Sequence, residues 1–185
     1  MQPSPIETRM QNHNSIVFLG DSLTEWFELG RFFPGKPIVN EGIAGDTTFG
    51  LLERLEAILD RPCSKIFLMI GINDVFNDFD SDDIIENLQL IIEEIQTEST
   101  SVELFVQSLL PVNESLLGTG DLLNRRIRHI NKELGAYCRR RSLRYLDLYP
   151  AFLENGEMKE AYTTDGGHLS EAGYRLWAEK LEPLL

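Results

Sequence analysis

The sequence has few of the residues that mark several common classes of protein. Only 17 of its 185 residues are lysine or arginine, against 30 aspartates and glutamates, so the formal net charge is -13. Nucleic-acid binding depends on neutralising phosphates, and this charge balance argues against it. The two cysteines, Cys63 and Cys138, have no close pairing motif, which favours free thiols in a reducing compartment and leaves one disulfide open. The three histidines are scattered and do not supply a cluster of metal ligands.

Long apolar runs are also missing. No segment is long enough to span a bilayer, and the polar first 14 residues contain two prolines and no signal-peptide core. We expect residues 1–14 to form a flexible arm and residues 15–185 to form one domain, because this length suits a single core. These features predict a cytoplasmic protein without stable membrane insertion, unless a leader has been removed. The oligomeric state stays open, a homodimer included.

The sequence does contain short apolar runs that alternate with amphipathic helical patterns. Apolar runs of this kind predict strands buried on both faces. Five such strands alternating with helices predict an α/β fold, with a parallel sheet at the centre of a three-layer sandwich. By analogy with flavodoxin-like folds we expect the strand order 2-1-3-4-5. The predicted strands cover residues 15–19, 38–40, 65–70, 102–107 and 144–148, and the predicted helices cover residues 23–29, 51–59, 82–97, 121–140 and a segment from about residue 170.

Chemically apt residues follow four of the predicted strands. Ser22 follows the first strand, Gly45 the second and Asn73 the third. Asp165 and His168 follow the fifth strand, before the last helix. Because the carboxyl ends of parallel strands meet at one edge of the sheet, we expect these residues to converge there.

These residue types suit acyl transfer. A serine hydroxyl attacks a carbonyl once a base takes its proton, and His168 can be that base. Asp165, three residues earlier, can orient the imidazole and stabilise its cation. The predicted donors to the oxyanion are the backbone N–H groups of Ser22 and Gly45 and the side-chain amide of Asn73.

Each motif taken alone is also compatible with an ordinary turn or loop. Gly-Asp-Ser at residues 20–22 can cap a helix, and Asp-Gly-Gly-His at residues 165–168 can be a surface loop. Together and in this order they favour catalysis. Asp21 and Asp74 are expected to hold loops through side-chain-to-backbone hydrogen bonds. Five apolar residues either line an acyl pocket or belong to the core: Trp26, Phe27, Phe76, Leu110 and Val112.

In order and spacing, the motifs resemble those of the GDSL, or SGNH, hydrolases, and the resemblance extends over about residues 16–181. Residues 40–48 are especially similar to the subgroup that contains the catalytic subunits of platelet-activating-factor acetylhydrolase and bacterial acetylesterases. The matching blocks are Gly-Asp-Ser-Leu at residues 20–23, Gly45, Gly-Ile-Asn-Asp at residues 71–74 and Asp-Gly-Gly-His at residues 165–168.

The resemblance implies a serine esterase that needs neither cofactor nor metal. Ser22 is then the nucleophile, His168 the base and Asp165 its partner, and Gly45 and Asn73 complete the oxyanion hole with Ser22. The implied substrate is a small-molecule ester with a short acyl group, acetyl above all, such as an acetylated sugar or a lipid-like ester. Thioesterase or lysophospholipase-type activity, and acyl transfer to an acceptor other than water, stay open.

Other function classes fit the sequence less well. An α/β-hydrolase needs Gly-x-Ser-x-Gly, and position 24 is threonine. Neither Gly-x-Gly-x-x-Gly nor a P-loop follows a predicted strand. A phosphotransfer domain that used Asp21 with magnesium would need a second acidic residue beside it and a lysine at the end of the fifth strand, and neither is there. A non-catalytic binding module of the same shape stays open.

Overall fold

A parallel sheet forms the centre of the computed structural model, which describes residues 15–99 and 101–185. The predicted arm over residues 1–14 lies outside the described residues. The strands are β1 (Ile16–Gly20), β2 (Ile38–Gly42), β3 (Lys65–Met69), β4 (Glu103–Gln107) and β5 (Arg144–Leu146). Their order is β2-β1-β3-β4-β5 and every pairing is parallel, which confirms the predicted topology.

Helices connect these strands, and a two-stranded antiparallel hairpin precedes the last helix. The α-helices are α1 (Ser22–Glu25), α2 (Leu29–Phe32), α3 (Thr48–Leu59), α4 (Ile72–Phe76), α5 (Ser81–Glu98), α6 (Glu114–Leu117), α7 (Leu122–Arg140), α8 (Tyr149–Phe152) and α9 (Glu171–Leu181), the hairpin strands are β6 (Leu153–Glu154) and β7 (Glu157–Met158), and short 3-10 helices cover Glu160–Tyr162 and Glu182–Leu184.

One face of the sheet carries a row of stacked phenylalanines. Phe18, Phe67 and Phe105 occupy the same register on β1, β3 and β4, with ring centroids 4.8 and 4.6 Å apart. Helix α9 covers this face, because the indole N–H of its fully buried Trp177 donates to Oε1 of Gln107 at 2.8 Å. The last helix therefore belongs to this layer.

The opposite face of the sheet packs on a second layer of helices. Tyr145 of β5 points to this side, where a Cβ atom on Gly135 of α7 would lie 3.0 Å from its ring. Helices α3, α5 and α7 pack side by side there. Helices thus cover both faces, as the three-layer prediction requires.

The predicted helix over residues 23–29 is wrong, because α1 and α2 are separate. The side-chain amide of Asn40 donates to the carbonyl of Thr24 at 2.7 Å and to that of Phe27 at 3.4 Å. These carbonyls are therefore turned towards Asn40 and do not accept the N–H groups that a continuous helix would offer them. Phe27 then turns into the core, where it is 2% exposed.

Two further differences concern the region after β4. Strand β5 ends two residues before the predicted end, because the N–H groups of Leu148 and Tyr149 donate to the hydroxyl of Ser108 at 2.9 and 3.0 Å. The β6–β7 hairpin was not predicted. Its turn is Asn155-Gly156, both with left-handed backbone, which is a common two-residue hairpin signal.

Both cysteines are free thiols, with Cys138 buried and Cys63 partly buried. Within the described ranges, no helix has both the length and the apolar character needed to cross a lipid bilayer.

Candidate active site

Ser22 lies where β1 turns into α1. Asp21 caps the helix, since its Oδ1 accepts the N–H of Leu23 at 3.0 Å. Ser22 is the first residue of α1, where a backbone N–H has no partner within the helix. The turn has no room for a side chain at Gly20, because a Cβ atom there would lie 2.2 Å from the hydroxyl of Thr24. The sequence therefore places an almost buried serine here, 5% exposed, and no acceptor among the described residues takes its backbone N–H.

The loop before α9 brings His168 to this serine. Nε2 of His168 lies 3.2 Å from Oγ of Ser22, although 146 positions separate the two residues in the chain. Nδ1 of His168 lies 2.7 Å from Oδ2 of Asp165. A carboxylate only accepts hydrogen bonds, so the Nδ1 proton faces Asp165 and Nε2 is left to accept from the serine hydroxyl. The three predicted triad residues are thus in contact in the predicted order.

The loop geometry also fixes the charge of Asp165. Its Oδ1 accepts the N–H groups of Gly167 and His168 at 2.9 and 2.7 Å. Partial burial raises the pKa of this carboxyl, but the hydrogen bonds from the His168 backbone and ring and from Gly167 outweigh it, so the pKa lies below its ordinary value. Asp165 therefore stays ionised and able to balance an imidazolium.

The segment carrying Gly45 lies beside the serine turn. The N–H of Ile43 donates to the carbonyl of Gly20 at 3.1 Å, which joins the end of β2 to the end of β1. Gly45 has a φ of +80°, a left-handed backbone that favours glycine. Within residues 15–99 and 101–185, no protein acceptor takes its N–H.

Asn73, in the first turn of α4, is tied to the same segment. Its side-chain amide donates to the carbonyl of Asp46 at 2.8 Å, which leaves the second amide hydrogen for a ligand. Asp74 reinforces the contact, because its carboxylate accepts the N–H of Thr48 at 3.0 Å and the Thr48 hydroxyl at 2.5 Å. Asp21 and Asp74 thus hold loops as predicted, and the donors of Gly45 and Asn73 belong to one linked unit.

Asp21 is the one strongly perturbed carboxyl in the described part of this site. Burial raises its pKa to about 7, and the nearby carboxylates of Asp46 and Asp74 raise it further, while the N–H of Leu23 and the charge of His168 act in the opposite sense. Its Oδ2 is buried and has no hydrogen-bond partner among the described residues. The site therefore contains a carboxyl that changes charge near neutral pH.

Two exposed aromatic side chains flank the histidine loop. Trp26 is 49% exposed and its ring centroid lies 4.5 Å from that of His168. Phe76 is 42% exposed, and a Cβ atom on Gly167 would lie 3.3 Å from its ring. The other three apolar residues considered from the sequence are buried in the core: Phe27, Leu110 and Val112.

Two contacts of this region were not predicted from the sequence: that of Trp26 with His168 and that of Asn40 with α1. Trp26 follows Ser22 by four positions, a spacing that places two residues on one side of a helical turn, and this signal was available. Asn40 has no such local signal, because its partners are the distant carbonyls of Thr24 and Phe27.

Comparison with known proteins gives a consistent result. The model of the GDSL-like lipase/acylhydrolase family matches residues 18–176. A solved structure from Streptococcus pneumoniae, described as a candidate platelet activating factor, is 33% identical, with coverage of 97% of this chain and 89% of that chain and a TM-score of 0.82. An acetyl xylan esterase, AlAXEase, is 18% identical and shares the fold, with coverage of 92% and 99% and a TM-score of 0.77.

A longer protein also matches. N-acylneuraminate cytidylyltransferase of Streptococcus agalactiae is 23% identical over 177 residues, which are 92% of this chain and 40% of that protein. The chain therefore spans less than half the length of this curated relative.

Proposed function

Because the chain belongs to the GDSL-like lipase/acylhydrolase family, we propose that it is a carboxylic ester hydrolase that cleaves short-chain esters, acetyl esters above all, with Ser22 as nucleophile. The observation that carries the proposal is the continuous contact from Ser22 through His168 to Asp165, with distances of 3.2 and 2.7 Å. These are the distances expected of a nucleophile, its base and the group that orients the base.

In the first half of the reaction, Oγ of Ser22 forms a bond to the acyl carbon while its proton passes to Nε2 of His168. The ionised Asp165 balances the imidazolium. The tetrahedral intermediate then collapses, the ester C–O bond breaks, and the leaving alcohol takes the proton from Nε2. The acyl group remains on Ser22.

In the second half, water replaces the alcohol. His168 takes a proton from the water as its oxygen bonds to the acyl carbon, and it returns that proton to Oγ of Ser22 as the acyl–serine bond breaks. The products are the carboxylic acid and the free enzyme, so the cycle needs no cofactor.

Three donors are proposed for the oxyanion: the backbone N–H groups of Ser22 and Gly45 and the side-chain amide of Asn73. The bond from Asn73 to Asp46 supports this assignment, because it fixes the amide in place before the charge develops. Donors that are held in advance need no reorganisation during the reaction, and each typically contributes about 3–4 kcal/mol.

For the alcohol part of the substrate, we favour an acetylated sugar. The side chain of Phe76, beside the histidine loop, is 42% exposed, and an exposed aromatic ring suits the apolar face of a sugar ring. The names of two similar proteins refer to carbohydrate, as acetyl xylan in one and N-acylneuraminate in the other. Lipid-like esters and thioesters remain the alternatives for the test.

The proposal is tested with two substrate series and one blank. p-Nitrophenyl esters of increasing acyl length give the acyl preference, and acetylated xylose, acetylated N-acylneuraminate, a lysophospholipid and an acetyl thioester give the preference for the leaving group. Ser22→Ala is the blank. We expect the highest kcat/KM for acetyl esters and no turnover by the variant. Equal rates for the wild-type protein and Ser22→Ala on every ester would contradict the proposal.

A further inference from the structure

The indole of Trp26 lies over the imidazole of His168. The two ring centroids are 4.5 Å apart and the planes are tilted by 34°. Trp26 is the C-cap residue that follows α1, and its backbone N–H donates to the carbonyl of Ser22 at 3.0 Å. One helical turn therefore carries both the hydroxyl at one edge of the imidazole and the ring that covers its face.

Burial does not explain a tryptophan at this position. Trp26 is 49% exposed, whereas its neighbour Phe27 is 2% exposed and packs on Trp177 with ring centroids 4.8 Å apart. The core in this region is thus filled by the next residue along the chain. Among the ring–ring contacts of the described residues, that with His168 is the only one made by Trp26.

We propose that Trp26 is a positioning residue for His168, which keeps the imidazole aligned between Asp165 and Ser22 and stabilises its cation. This inference rests on the proposed function, because a cation forms on His168 only if it acts as the base. The two hydrogen bonds of the imidazole lie at its edges, in the ring plane. The indole restricts tilting out of that plane, and its π face attracts an imidazolium more than a neutral ring.

Two carboxylates also face the imidazole. Asp165, on the same loop, contacts Nδ1, and Asp21, at the end of β1, interacts with the charge of His168. Ser22 contacts Nε2 and is neutral. Variants of Trp26 retain both carboxylates. A difference in activity between those variants can therefore be attributed to the aromatic ring at position 26.

Loss of the indole has two opposing effects on the imidazolium. It removes the π face, which disfavours the cation, and it admits water, which favours it. The side chain of His168 is already 36% exposed, so the gain in hydration is partial. We therefore expect loss of the π face to dominate, so the imidazolium formed during the reaction should be less stable when Trp26 is replaced by an aliphatic residue.

The kinetic test compares Trp26→Phe with Trp26→Leu on an acetyl ester. The leucine variant should lower kcat roughly 5- to 30-fold with KM changed less than about twofold, and the phenylalanine variant should recover most of kcat. A raised KM with unchanged kcat would make Trp26 a substrate contact and overturn the proposal. Equal loss in both variants would also overturn it, because an aromatic face would then have no special effect.

A second measurement does not depend on activity. The NMR signals of the His168 ring protons, assigned by their loss in His168→Ala, should move to lower field in Trp26→Leu, because the imidazole no longer lies over the indole face. Phe79→Leu, which removes another exposed aromatic ring (45% exposed), is the matched control and should leave these signals unchanged. Unmoved His168 signals in Trp26→Leu contradict the role of Trp26. If the wild-type protein and Ser22→Ala hydrolyse esters equally while the signals move, the proposed function fails and the ring contact stands.

Discussion

The side-chain amide of Asn73 donates to the backbone carbonyl of Asp46 at 2.8 Å, across the gap between α4 and the segment after β2. Asp46 directly follows Gly45, so this bond links the segments that carry two of the three groups proposed for the oxyanion hole. Asn73 therefore ties two loops together, and its proposed role as a donor to the transition state can be tested separately from that tie.

Replacing Asn73 by alanine should lower kcat by about 10²–10³, with little change in KM, because the lost donor acts on charge that develops only in the transition state. The measurement is steady-state kinetics on an acetyl ester, with the unfolding midpoint as a check of structure.

Asn87→Ala is the matched control for this prediction. The Asn87 amide donates to the hydroxyl of Thr48 at 3.0 Å, so its removal weakens the same segment and removes no proposed donor. A loss of kcat in Asn87→Ala as large as in Asn73→Ala would attribute the effect to the loop rather than to the oxyanion.

His168→Ala should lower kcat by roughly 10³–10⁴, because the variant has no base for Ser22. Asp165→Ala should cost about one to two orders of magnitude less, since the imidazole remains and loses only its orientation and charge balance. Both side chains are partly exposed, so both variants should fold, which circular dichroism and urea unfolding check. Unchanged turnover in His168→Ala would refute the assignment.

Asp21 should make stability depend on pH. Its pKa is raised from 3.8 to about 7 in the folded chain. The folded protein therefore holds this proton more tightly than the unfolded chain, and the resulting stability is present below about pH 4 and lost as the pH rises through 7. Asp21→Asn keeps the acceptor for Leu23 but cannot ionise. Between pH 5 and pH 8 the wild type should therefore lose stability that Asp21→Asn does not lose. The free energy of unfolding of the variant minus that of the wild type should increase by on the order of 2 kcal/mol over this range.

Urea unfolding of both proteins at the two pH values measures this difference. Asp74, whose pKa burial also raises, and Asp165, whose pKa is lowered, are present in both proteins. Their contributions largely cancel in the comparison. A difference that stays constant between pH 5 and pH 8 would show that Asp21 has the same charge in the folded and unfolded states.

Gly42→Ala, in the neighbouring strand β2, should displace Ser22, the proposed nucleophile. A Cβ atom at Gly42 would lie 2.2 Å from the backbone nitrogen of Glu25, so α1 must move. We expect the free energy of unfolding to fall by about 2–3 kcal/mol and kcat to fall with it, because Ser22 is on that helix. Gly30→Ala, in α2 with nothing within 4 Å of the new Cβ, is the control and should be neutral or slightly stabilising. Full activity in Gly42→Ala would show that the helix tolerates the shift.

The sequence predicts the sheet and the location of the site well, for a physical reason. The apolar runs of β1, β3 and β4 are buried on both faces, whereas the edge strands β2 and β5 are partly exposed. Parallel strands align their carboxyl ends, so Ser22, Gly45, Asn73 and His168 are directed to one edge. The end of α1 could not be predicted from the local sequence, because it depends on a hydrogen bond from the side chain of Asn40, which lies on β2. The β6–β7 hairpin had a readable Asn-Gly signal, but strands of two residues give no apolar pattern to support it.

The contact between Ser22 and His168 joins the first strand to the loop before the last helix. The two proposed reacting groups therefore lie far apart in the chain, and contacts of such long sequence separation slow folding. If these groups act as proposed, recovery of ester cleavage after dilution from denaturant should follow the step in which the loop before α9 reaches β1, because Ser22 has no base before then. Return of activity would then mark the end of folding rather than the formation of the sheet.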